Sequence, residues 1–120
     1  MQKMIVKTNS ESIIHLEICK SFWSKFMGLM FRKELPSNTG LIFQYDSESI
    51  LNTSIHMLFM NFPITVVWIN LDNIVVDKKI AMPWHIMYAS ALPACSVIET
   101  NTKFIDEFLL GEKLTFTYEN

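Results

Sequence analysis

The sequence predicts a mainly β fold, a small antiparallel sandwich or barrel of about eight short strands with one short helix. Three observations predict it. Apolar and polar residues alternate with period two in several short stretches, as in Ile14, Leu16 and Ile18 against His15, Glu17 and Cys19. Turn-forming clusters such as Asn9-Ser10, Pro36–Gly40 and Leu71–Asn73 separate these stretches. One segment alone, running from Ser21, carries aromatic and apolar residues at helical spacing.

Taken in order, residues 3–8 (KMIVKT) form a first strand and 12–19 (SIIHLEIC) its hairpin partner, with one wet face that leaves His15 solvated. Ser21 is suited to cap a helix in which Phe22, Phe26 and Leu29 share one face and Trp23, Met27 and Met30 another. Gly28 or a residue shortly after it ends that helix. Residues 35–40 (LPSNTG) are turn chemistry, 41–45 (LIFQY) a strand and 46–49 (DSES) a polar loop. Residues 74–82 return as the second arm of a hairpin whose turn is 71–73, and 83–93, with two prolines and no period, are a loop. Residues 95–101 form a strand, 103–111 contain one helical turn closed by Gly111, and 112–119 form the last strand.

Residues 54–70 (SIHMLFMNFPITVVWIN) read as two consecutive strands broken by Pro63, which removes a ladder donor. In the first, His56, Leu58 and Met60 share a face. His56 and Met60 then lie roughly 13 Å apart along it, too far to grip one small ion without a bulge. Soft ligands of this kind suit copper(I), but methionine is also the gap-filler of irregular cores. In the second, Ile64, Val66 and Trp68 face one side and Thr65, Val67 and Ile69 the other. Both faces are largely apolar, so the strand is central, covered on both sides, and Trp68 is core.

The chain of 120 residues fits a single domain spanning 1–120, large enough to fold without a metal or disulfide. Half of its residues are hydrophobic, with mean hydropathy +0.24, yet no apolar run reaches the ~18 residues of a membrane helix. A net charge of -2 with scattered Lys and Arg argues against nucleic acid. The N-terminal MQKMIVKTNSES lacks a leader's apolar core, so the expected location is the cytoplasm. There Cys19 and Cys95 are expected as separate buried thiols.

The stretches KFMGLMFRKELPSNTGLIFQY, SIHMLFMNFPITVVWINLDNIVV, MPW, VIET and LLGEKLTF, in that order, resemble the domain family of unknown function DUF192, also called UPF0127. The resemblance covers roughly residues 20–118, through Gly28-Leu29-Met30, Arg32, Leu35-Pro36, His56, Met60 and Pro63. It implies a small, mainly β, jelly-roll-like or barrel fold with one helix, and no assigned activity. Lys25 stands where the family helix usually has Arg, Thr65 where it has the Asp of a P-I-D step, and Asn101 near a usual glycine.

No catalytic motif is present. Cys95 with His85, and Cys19 with His15, are the only pairings of nucleophile and base that suggest themselves, and neither has a recognisable pattern. The sequence therefore leans away from an enzyme and calls for no cofactor or metal. The expected role is a binding module for a small molecule or peptide. Its site gathers Lys25 and Arg32 near the helix end, His56, Met60 and Asn61 at the proline kink, and Trp84 and His85 in the long loop. The alternatives are a structural or protein-interaction domain, or a small enzyme of unrecognised class. The chain is expected as a monomer or weak homodimer.

Overall fold

The computed structural model describes residues 2–19 and 37–119. These form seven strands: β1 (Lys3–Lys7), β2 (Ile13–Cys19), β3 (Thr39–Ser49), β4 (Ile64–Ile69), β5 (Val75–Ala81), β6 (Ala94–Thr100) and β7 (Thr115–Glu119), with a 3₁₀ turn, η1 (Thr102–Phe104), between the last two. The helix expected from Ser21 to about Met30 lies outside the described residues.

All seven strands join one sheet in the order β5-β4-β6-β3-β2-β1-β7. The fold is mainly β, as the alternating pattern requires, but the sheet is open and resembles a barrel only loosely. It curls enough that Val75 donates to the Glu112 carbonyl at 2.9 Å and Leu114 to the Asn73 carbonyl at 2.8 Å. The start of β5 thus meets the run into β7 without a continuous ladder. The pairings are antiparallel except one: β2 and β3 run parallel, His15 opposite Thr39 through Cys19 opposite Phe43. A parallel pair cannot be joined by a tight turn, and residues 20–38 separate these two strands in the sequence.

Two further expectations change. Residues 46–49 continue β3 to Ser49 rather than forming a loop, because a register shift between Gln44 and Ser49 lets β3 keep β6 as partner. Residues 54–62 are not a strand. Only Ile55 forms a bridge there, and the chain turns at 57–60. Pro63 therefore does not interrupt a ladder; it precedes Ile64, the first residue of β4.

β4 behaves as its two apolar faces require. All six of its residues are buried between β5 and β6. Ile64, Val66 and Trp68 join a core with Leu41, Phe43, Val97, Met57 and Met60 on one face of the sheet. Val67 and Ile69 join Ile14, Leu16, Ile42, Ile98, Phe104 and Phe108 on the other. Trp68 is fully buried, and its indole Nε1 donates to the Thr53 carbonyl at 2.8 Å, which pins the 50–62 segment over the first core. Gly40 lets β3 and β6 meet closely, since a Cβ there would stand 2.5 Å from the Glu99 carbonyl oxygen. Among the described residues no helix is long and apolar enough to cross a membrane.

Candidate functional site

Two irregular segments, 55–60 and 82–88, lie side by side over the first core and are laced together by their backbones. Ile55 and Tyr88 exchange hydrogen bonds at 2.9 and 2.8 Å, Met57 donates to the His85 carbonyl at 2.9 Å, and Trp84 donates to the Met57 carbonyl at 2.7 Å. Met60 closes a turn by donating to the Met57 carbonyl at 3.2 Å. This turn sorts the side chains differently from a strand. Met57 and Met60 both point into the core, while His56 and Asn61 are exposed. His56 and Met60 therefore do not converge on a common ligand.

The lacing forces two aromatic residues into left-handed backbone, Phe59 at φ 63° and Trp84 at φ 67°. Bulky residues adopt this region at a cost of order 1–3 kcal/mol, and keep it only where surrounding bonds over-determine it. Here those bonds are the ones just described. The two rings meet edge to face, centroids 5.2 Å apart at 64°. Both remain open to solvent, Phe59 by 43% and Trp84 by 55%. Beside them the His85 ring stacks on Tyr88 at 5.4 Å. The Tyr88 hydroxyl in turn accepts from the Met82 amide at 2.9 Å, closing the 82–88 loop. On His56, Nδ1 accepts from the Leu58 amide at 3.2 Å, so the proton of the neutral ring is assigned to Nε2.

Of the residues singled out by sequence, His56, Asn61, Trp84 and His85 are exposed in or beside these two segments, while Met60 is buried in the first core. Lys25 and Arg32 lie outside the described residues. The two candidate nucleophile–base pairs do not form hydrogen bonds in this arrangement. His15 Nδ1 bonds Glu119 at 2.6 Å on the exposed face, while the Cys19 thiol bonds the Glu17 carbonyl at 3.9 Å. His85 stacks on Tyr88, and Cys95 lies 3.9 Å from the Ser96 hydroxyl with its thiol pushed up by burial, which opposes thiolate formation. Cys19 and Cys95 are both buried, outside any disulfide.

Sequence reasoning missed one group. Glu99 is buried in β6 opposite Leu41 of β3 and Val66 of β4, on the face of the first core. Burial pushes its carboxyl up to about 7. The Tyr45 hydroxyl is also raised, by its own burial and then by the Glu99 charge. Strand parity carried the signal: Glu99 alternates with Ile98 and Thr100 but shares its side with Val97 and Cys95, which are apolar.

Comparison with known proteins agrees with this architecture. The DUF192 family, described as an uncharacterized ACR, matches residues 4–116. A UPF0127 protein of Thermococcus sibiricus is 38% identical over 91 residues, covering 76% of this chain and 57% of that protein, so the chain spans little more than half of that relative. A UPF0127 protein of Pyrococcus furiosus is 36% identical over 94 residues, 78% of each chain. Two solved structures share the fold. One is a putative transcription regulator from Sinorhizobium meliloti, with TM-score 0.81, 18% identity, and coverage of 96% of this chain and 92% of that one. The other is a protein of unknown function from Novosphingobium aromaticivorans, with TM-score 0.79, 22% identity, and coverage of 94% and 83%. With its family match running nearly end to end and relatives at these identities, the chain belongs to the DUF192 (UPF0127) family.

Proposed function

We propose that this protein is a non-catalytic binding module whose recognition surface is built by the laced 55–62 and 82–88 segments. The observation that carries the reading is the Phe59–Trp84 pair: two solvent-exposed aromatic rings in left-handed backbone, held at 5.2 Å by hydrogen bonds between the segments. A scaffold that holds strained, exposed aromatics in one geometry avoids the ordering cost of binding and offers a flat contact surface. His56, Asn61 and His85, exposed in the same two segments, are the polar groups available to orient a ligand.

The test is a thermal-shift screen of the full chain against sugars, nucleotides and short peptides. A ligand that binds only the native state raises the unfolding midpoint through mass action. The reading requires a hit of several degrees that Trp84→Ala and His56→Ala abolish while each variant still unfolds sharply. If hits survive both substitutions, the surface is elsewhere; if both variants lose stability with no change in binding, the residues serve only the fold.

A further inference from the structure

We infer that the protein self-associates through the outer edge of β7, which pairs antiparallel with β7 of a second copy about a twofold axis at Thr117. Two seven-stranded sheets then join into one. This edge is separate from the recognition surface proposed above and stands or falls without it.

Backbone direction fixes which groups are available. β7 ends the sheet order, paired to β1. Even-numbered residues along β1 and its flanks face β2: Ile18 donates to the Gln2 carbonyl and Thr8 to the Ser12 carbonyl, each at 3.0 Å. Odd-numbered residues of β1 therefore bond β7, and they stand opposite Thr115, Thr117 and Glu119. The N–H and carbonyl groups of Phe116 and Tyr118 are left directed outward, with no backbone partner among the described residues. Leu114 shares their parity, and its amide donates outward to the Asn73 carbonyl at 2.8 Å. The free edge thus begins just after Leu114.

This geometry selects one symmetric register. Centred on Thr117, the pairing sets Phe116 opposite Tyr118 of the second copy and Tyr118 opposite its Phe116, so every outward group on both strands is used. Centred on Phe116, it would set Tyr118 against Leu114, whose amide is already taken.

The side chains suit the same register. Thr115-Phe116-Thr117-Tyr118 places a threonine at the centre with an aromatic residue on either side. Each Phe116 meets a Tyr118 across the axis, an aromatic cross-strand pair formed twice. Tyr118 is 59% exposed and Phe116 is half-buried against the second core, so the pairing extends that core. No charge faces a like charge. Glu119 stands opposite Thr115, and its Oε1 is held by Nδ1 of His15 in its own chain at 2.6 Å.

The two ends of the sheet are also treated differently. Native edges are guarded by charges, prolines, bulges or covering loops. β5 has such guards. Asp77 Oδ2 accepts from the Ala91 amide at 2.8 Å, Lys78 Nζ donates to the Ile105 carbonyl at 2.8 Å and Lys79 Nζ to the Ala89 carbonyl at 2.6 Å. From Thr115 to Tyr118, β7 has no charge and no proline, and its ladder with β1 runs without a bulge. An unguarded edge favours a partner that pairs through its backbone, and the self-matching register makes that partner a second copy.

The experiment is sedimentation equilibrium of the full chain from about 10 μM to about 1 mM. One strand from each copy makes a small contact, of the weak class below ~1,200 Å². The expected result is a dimer that fills toward the top of that range and grows no further, because an isologous contact closes. Thr117→Lys sets like charges against each other at the axis and should weaken dimerisation by about tenfold or more. Thr117→Glu should do the same, and an equimolar mixture of the two variants should dimerise again. Thr115→Lys adds the same charge to the same strand but opposite Glu119, and should keep or tighten the dimer. A monomer at every concentration, growth beyond a dimer, or a dimer indifferent to Thr117→Lys overturns the inference. So does equal weakening by Thr115→Lys, or a mixture of sharply unfolding Thr117 variants no tighter than either alone. Association that Ile86→Glu with Met87→Glu removes and Thr117→Lys leaves would move the interface to the 82–88 loop, and also overturns it.

Discussion

Thr65 and Thr100 stand directly opposite each other on β4 and β6, both fully buried, and only one of their hydroxyls is bonded. Thr100 Oγ1 donates to the Thr39 carbonyl at 2.8 Å, tying β6 to the start of β3. Thr65 Oγ1 has no partner among the described residues. A buried hydroxyl left unsatisfied costs about 1–3 kcal/mol. Thr65→Val keeps the shape and removes the orphan, so it should stabilise the protein by about 1 kcal/mol. Thr100→Val should destabilise it by about 0.5–1.5 kcal/mol, the net worth of one hydrogen bond. Urea denaturation of both variants checks the pair; a destabilised Thr65→Val would show that its hydroxyl is bonded in solution.

Glu99 predicts an unusual pH dependence. Burial disfavours the charge and pushes its carboxyl up to about 7 in the folded state, from the ordinary value of 4.5. Between those two pH values the native state holds a proton that the unfolded chain has released. Stability from this group is therefore fully present below about pH 4.5, falls as pH rises through about 7, and is level above that. The fall is on the order of a few kcal/mol. Glu99→Gln, neutral at every pH, should flatten the profile and be more stable than the parent at about pH 8. Denaturation midpoints for both proteins at about pH 5 and about pH 8 decide it. Parallel profiles would place Glu99 in water or beside a cation.

How far the sequence could carry these conclusions follows from what each feature depends on. Period-two alternation is local, so β1, β2, β6 and β7 were legible, and the double-sided apolar pattern of Ile64 to Ile69 identified the central strand. The parallel β2–β3 pair was not legible, because register between distant strands is decided by which faces must be covered. The turn at Met57–Met60 was missed for a related reason. SIHMLFM alternates weakly, and the backbone bonds that fold it come from Trp84, His85 and Tyr88, some 30 residues downstream. His56, Trp84 and His85 lie exposed on the two segments so laced, which were foreseeable only as loops at one end of a β fold. Glu99 was legible in parity but hidden by the habit of reading carboxylates as solvent-facing.

The backbone strain at Trp84 gives a sharper test of the recognition surface than side-chain removal alone. At φ 67°, any residue with a Cβ is disfavoured and glycine is not. Trp84→Ala and Trp84→Gly both delete the contact with Phe59, but only glycine relieves the strain. The glycine variant should thus be the more stable by about 1 kcal/mol, the reverse of the usual order, in which alanine is favoured. Thermal denaturation of the two variants side by side measures it. Alanine equal to or above glycine would mean that the loop relaxes out of the left-handed region in solution, and the exposed pair would no longer be preorganised.

Glu112 supplies the last prediction, because it is a buried carboxylate that holds two loops with one side chain. Its Oε2 accepts from the Asn9 amide and its Oε1 from the Leu109 amide, each at 2.9 Å. The first bond anchors the β1–β2 turn and the second closes the 109–112 turn that leads into β7, so β7 is seated beside β1 partly through this residue. Glu112→Gln keeps one acceptor oxygen and replaces the other with an NH₂ that faces a donor. It should cost about 1–3 kcal/mol, since hydrogen bonds to a charged acceptor are among the stronger ones and a buried amide is left unpaired. Hydrogen exchange gives the readout that separates this from general destabilisation: the amides of Asn9 and Leu109 should lose protection first, ahead of those in β4 and β6, where both faces are buried. Uniform loss across all strands would mean that Glu112 supports the global fold rather than the attachment of this edge.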